Sequence, residues 1–214
     1  MKSISWCVIA IGFLAGVTAA GPDYSGYLTI GNGGLDGTGT WATSSDPAAY
    51  LQYDITFQGS HYHYKYVLGG LTQDISHFIL ELTPGFDAGD WWNVSASPKD
   101  DEKYAERFGE YVPGNENPNM PDPGFYGVKL DDITGTTWTL EFDSLRVPME
   151  GMFYAKDGAV PQTDPKVYNA LWNTGTGEGI LYVPNEHVIP APGAVLLASL
   201  GVGMVGYLRR RRSM

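Results

Sequence analysis

Tyr50-Leu51-Gln52-Tyr53-Asp54-Ile55-Thr56-Phe57 decides the fold class. Leu51, Tyr53, Ile55 and Phe57 fall on one side of an extended chain, and Gln52, Asp54 and Thr56 on the other, because successive side chains of a strand point to opposite faces. Gln58-Gly59-Ser60 turns the chain. The alternation then resumes, with Tyr62, Tyr64, Tyr66 and Leu68 opposed to His61, His63, Lys65 and Val67. Two alternating runs joined by a short glycine turn predict a β-hairpin with an aromatic inner face.

Further strands flank this hairpin. Ser76 to Leu82 sets Phe78, Leu80 and Leu82 against His77, Ile79 and Glu81, and Thr136 to Phe142 sets Trp138, Leu140 and Phe142 against Thr137, Thr139 and Glu141. Phe125 to Leu130, Gly151 to Ala155 and Gly179 to Val183 complete the set, with turns at Asp131-Asp132 and Lys156-Asp157-Gly158. Strands in this series with no helices between them predict an all-β fold, an antiparallel β-sandwich over residues 21–187. Tyr53, Ile55, Tyr64, Tyr66, Phe78, Leu80, Trp138 and Leu140 are the expected core. Two stretches interrupt the pattern. Gly31 to Gly39 reads as a mobile surface loop and lacks the Gly-Lys-Ser/Thr of a phosphate-binding loop. Residues 83–123 read as one long irregular insertion, with a short helix over Asp100–Phe108.

The two ends carry signals of a different kind. Residues 1–20 place Lys2 before an apolar run, Ile4 to Val17, and end in Thr18-Ala19-Ala20, which is the pattern of a secretory signal peptide. Leu14-Ala15-Gly16 is followed by Val17, so the cysteine a lipoprotein requires is missing there. At the other end, Ala191 to Leu208 holds no charge and would span roughly 27 Å as a helix, close to the hydrocarbon thickness of a bilayer. Arg209, Arg210, Arg211 and Arg212 follow directly, and such a block keeps a terminus cytoplasmic. The expected topology therefore sets residues 21–187 outside the cytoplasm.

Residues 188–214 resemble the PEP-CTERM sorting tail, which an exosortase reads. Pro190, Ala191 and Pro192 match the short motif, Gly193 to Leu208 the small-residue-rich membrane helix, and Arg209 to Arg212 the basic cluster. The central glutamate of the motif is Ala191 here. Segments Ile75–Phe78, Phe153–Gly158 and Leu171–Gly175 resemble parts of the β-sandwich ectodomains that precede such tails. The resemblance implies an exported protein, transiently anchored by its C-terminal helix, with the exosortase as a partner and a place at the cell surface or in an exopolysaccharide matrix. It implies no catalytic activity.

Composition narrows the function classes. Five of the 13 basic residues are Lys2 and the four tail arginines, while all 24 acids lie in residues 21–187. The domain thus sets 8 basic residues against 24 acids, a formal charge of −16, which argues against nucleic acid and anionic lipid as partners. Cys7, the only cysteine, lies in the signal peptide, so disulfides are excluded from the mature domain.

Candidate chemistry is sparse. His61 and His63 share a strand face and could begin a metal site, with His77 joining them only if its strand is a neighbour. Asp36 in the glycine loop and Asp131-Asp132 offer hard oxygens of the kind calcium takes, although no EF-hand pattern is present. No resident cofactor is expected. No Gly-x-Ser-x-Gly motif occurs, and the paired acids at 100–101 and 131–132 point apart, so an enzyme is not expected. Trp91-Trp92, within the long irregular stretch, is the remaining signal: adjacent residues of a strand cannot both face inward, which leaves one to stack on a sugar ring or a partner, against the alternative that one anchors the loop on the core. A carbohydrate-binding module, or a polysaccharide-acting enzyme, is the alternative reading.

Overall fold

The computed structural model describes residues 23–43, 48–97, 106–131, 133–158 and 168–188, with Gly201, Met204 and Arg209. The expected signal peptide, the Pro190-Ala191-Pro192 motif, Arg210 to Arg212 and most of the 191–208 run lie outside the described residues. Gly201, Met204 and Arg209 are helical. Among the described residues no helix is long and apolar enough to cross a membrane.

The described chain is all-β with antiparallel sheets. Thirteen strands occur in order: β1 (Tyr24–Thr29), β2 (Leu35–Thr38), β3 (Tyr50–Phe57), β4 (Tyr62–Gly69), β5 (Ile75–Glu81), β6 (Trp91–Ser97), β7 (Glu106–Tyr111), β8 (Phe125–Asp131), β9 (Trp138–Ser144), β10 (Arg146–Gly151), β11 (Phe153–Asp157), β12 (Ala170–Asn173) and β13 (Leu181–Val188). A five-stranded sheet runs β1-β3-β4-β9-β6, a six-stranded sheet runs β2-β12-β11-β5-β8-β7, and β10 with β13 makes a two-stranded ribbon. The hairpin of β3 and β4 forms as the alternation requires, with Phe57 opposite Tyr62 and Ile55 opposite Tyr64.

One apolar cluster joins the two large sheets, an arrangement consistent with a β-sandwich. Leu51, Ile55, Tyr64, Tyr66, Leu140 and Phe142 enter it from one sheet, and Phe78, Leu80, Val128 and Phe153 from the other. The Phe78 ring on β5 meets the Trp138 ring on β9 at 4.9 Å. All eight expected core residues are buried. Three tyrosines of this core keep their hydroxyls satisfied, as buried polar groups must. Tyr64 Oη donates to the Arg146 carbonyl at 2.7 Å, Tyr66 Oη to Tyr182 at 2.8 Å and Tyr53 Oη to Ile180 at 3.2 Å. Three phenols of the five-stranded sheet thereby hold the β10–β13 ribbon and its approach. Burial, with neighbouring tyrosines, pushes the Tyr64 and Tyr66 phenols well up.

Four expectations are corrected. Residues 83–123 are not one irregular insertion: they contain β6 and β7, which add a strand to each large sheet. The helix expected over Asp100–Phe108 is not found where the chain is described, since residues 106–108 belong to β7 and pair with β8. The glycine loop contains β2, which pairs with β12 through Asp36 and Trp172. The Lys156-Asp157 turn is also strand, the end of β11, which lies between β5 and β12. Every residue of β11 is buried, so charged residues there must find partners. Asp157 accepts from the Asn169 backbone N–H at 2.8 Å and from its Nδ2 at 2.6 Å, and the Lys156 ammonium lies 4.6 Å from the centre of the Tyr168 ring.

Candidate functional site

Strand periodicity splits the tryptophan pair. Trp91 points inward and is buried beside Phe142 at 5.1 Å, Phe108 at 5.6 Å and Phe86 at 6.0 Å. Trp92 points outward, is 37% exposed and lies 5.4 Å from the His61 ring. The pair is therefore both an anchor and a surface group, as alternation demands.

Trp92 begins a row of outward side chains across the five-stranded sheet. It pairs with Asp143 on β9, Asp143 pairs with His63 on β4, and His63 pairs with Thr56 on β3. The opposite face of these strands carries Phe142, Tyr64 and Ile55, all in the core, which fixes the row on the outside. Between Trp92 and Ser95 the β6–β9 register shifts. A bulge of this kind re-aims a side chain. Asn93 adopts φ 53°, a conformation asparagine tolerates better than most residues. Its Nδ2 donates to Asp143 Oδ2 at 2.7 Å.

The other oxygen of Asp143 faces two imidazoles. His63 Nδ1 lies 2.8 Å from Oδ1, and His61 Nε2 lies 3.8 Å from the same atom. Asp143 is only 7% exposed. Burial alone would raise its pKa. The bonds from Asn93 and His63, with the charges of His61 and His63, outweigh that and hold it below the ordinary carboxylate range. Asp143 is thus an ionised post that fixes three polar side chains around an exposed indole. His63 Nε2 and Asn93 Oδ1 have no hydrogen bond to another described residue, which leaves them for outside partners.

This geometry suits a sugar. An indole face carries the negative side of the ring quadrupole and attracts the weakly positive C–H groups of a pyranose face. Imidazole and amide groups at the rim can exchange hydrogen bonds with its hydroxyls.

The other candidates are dispersed. His77 does not join His61 and His63, because β5 belongs to the six-stranded sheet. It is 2% exposed, and burial, then Lys129 and Lys156, push its pKa down to about 3. Asp36 accepts from the Gly37 N–H at 2.8 Å. The Asp131 carboxylate is bonded by Arg107 and lies 3.5 Å from Lys129 Nζ, and Asp132 lies outside the described residues. Among the described residues no group of three or more His, Cys, Asp or Glu side chains is arranged to hold a metal ion. A shallow cleft elsewhere is lined by Glu81, Glu110 and Tyr126. Glu81 there is raised by burial and accepts the Met152 N–H at 2.6 Å.

No family model matches the chain, and no curated protein or solved structure matches it.

Asn93 and Asp143 were not legible as site residues. Asp143 follows Phe142 as one more polar residue of an alternating strand, and nothing in the sequence signals the bulge that brings Asn93 to it.

Proposed function

We propose that this protein is an exported, non-catalytic surface protein whose β-domain holds a glycan against Trp92. The observation that carries the reading is an exposed indole beside a polar net centred on Asp143. Both Asp143 oxygens are engaged, one by His63 and one by Asn93, which supports a positioning role over proton transfer. The acid-rich composition supports an extracellular place and an uncharged partner.

Delivery is the second half of the proposal. Residues 1–20 start export. The run 191–208 and Arg209 to Arg212 halt it, and an exosortase reads Pro190-Ala191-Pro192 and releases the domain to the surface or its exopolysaccharide. The support is the tripartite order of the tail.

A glycan array probed with the full-length chain in detergent tests the binding half. The wild-type chain is expected to bind at least one uncharged glycan, and Trp92→Ala to lose it. Equal binding by the variant removes Trp92 from the account.

A further inference from the structure

The row through Trp92 is one end of a longer feature. At the opposite corner of the same face, Tyr27 on β1 is 54% exposed and stacks on Tyr50 of β3, with ring centres 5.2 Å apart and planes 26° apart. Tyr50 pairs with Gly69, where a Cβ would meet the Tyr50 ring at 2.6 Å. Glycine at that position lets the Tyr50 ring lie over the strand. Tyr27 pairs with Gln52, and Gln52 shares its face with Thr56 and hence with His63, Asp143 and Trp92.

We propose that this face is a track for an extended, uncharged polysaccharide, running diagonally from Trp92 to the Tyr27–Tyr50 stack. The proposal rests on the glycan reading of Trp92 and extends it to a substrate class. Three observations carry it. Length is the first. β1 and β6 are separated by four inter-strand steps, and Gln52 is four residues from Thr56, so strand spacings place the two aromatic ends roughly 23 Å apart. That distance takes several sugar rings end to end.

Charge is the second. Asp54, Glu141 and Asp143 face outward between the ends. Lys65 is the one Lys or Arg among the described strands of that face, and its ammonium lies 2.6 Å from Glu141. A polyanion would meet net repulsion there. Openness is the third. Trp92 and Tyr27 sit on the two edge strands of the sheet, so among the described residues no strand of that sheet lies beyond them to stop a chain. A polymer passing through fits this face better than a terminal sugar.

The test uses the full-length chain in detergent against hydroxyethylcellulose, laminarin and galactomannan, with alginate as the polyanion. Affinity electrophoresis is expected to show retardation by at least one uncharged polymer and none by alginate. Oligosaccharides cut from the bound polymer are expected to gain affinity with length until they span the face. Trp92→Ala and Tyr27→Ala should each weaken binding by about tenfold or more, and Tyr27→Phe, which keeps the ring, should not. Short oligosaccharides binding as well as the polymer, with only Trp92→Ala having an effect, would overturn the track and leave the Trp92 site standing. No retardation by any of the three uncharged polymers would overturn both readings. Retardation by alginate alone would overturn the uncharged class.

Discussion

Trp92 and Asp143 face each other across the β6–β9 ladder, and Asn93, the residue after Trp92, turns back to bond Asp143 Oδ2 at 2.7 Å. The bulge therefore ties the exposed indole to a fixed carboxylate within two residues of chain. A ring held this way loses less freedom on binding than one on a free loop.

The two tryptophans should separate in stability. Trp91→Ala removes a ring packed among Phe86, Phe108 and Phe142 and is expected to cost about 3–5 kcal/mol. Trp92→Ala is expected to change stability by less than about 1 kcal/mol. Denaturant unfolding of both variants checks this, and equal losses would contradict the split.

Leu140 is fully buried between the sheets. Leu140→Ala is expected to destabilise by about 2–5 kcal/mol. A loss near zero in the same unfolding measurement would mean that the two sheets do not share a core there.

His77 predicts an acid sensitivity. Its folded pKa, pushed down to about 3 by burial and then by Lys129 and Lys156, lies below the unfolded value of 6.5. The unfolded chain then binds the extra proton first as pH falls. Stability from this group is complete above the unfolded pKa and falls below it, by about 1.4 kcal/mol per pH unit. Between about pH 6 and 5, above the carboxylate range, His77→Gln should flatten that slope. An unchanged slope in unfolding midpoints against pH would show that His77 takes its proton in the folded state.

The tail carries its own prediction. Exosortase processing predicts that protein from native cells loses its C-terminal mass near Pro190 to Gly193. Intact-mass measurement decides this: recovery of the chain to Met214, with an active exosortase present, would reduce the tail to a simple anchor.

What was legible followed from alternation. β3, β4 and β9 each show one apolar and one polar face, and their burial follows that pattern. β5 was legible as a strand but not as a doubly covered one. Ile79 and His77, on its expected outer face, are as buried as Phe78, because chain outside the sheet packs on them, as the Ile79, Tyr154 and Met120 cluster shows. The strands that escaped are β1, β2, β6, β7, β10 and β12. All but β12 lie at a sheet edge, where one neighbour suffices and glycine, serine and charge are tolerated. Leu35-Asp36-Gly37-Thr38 and Glu106-Arg107-Phe108-Gly109 carry too little alternation to be seen. The site escaped for the same reason: Trp92 and Asn93 lie on an edge strand, and only register brings them to Asp143.

The most direct measurement is oxidative footprinting of tryptophan, read by mass spectrometry on the full-length chain with and without an uncharged polysaccharide that retards it in affinity electrophoresis. Trp92 is the most exposed tryptophan of the described residues, while Trp41, Trp91 and Trp138 are buried. Trp92 is expected to oxidise readily in the free protein and to be protected by the bound polymer, with the buried tryptophans unchanged. Equal oxidation of Trp92 in the free and bound states would contradict that expectation.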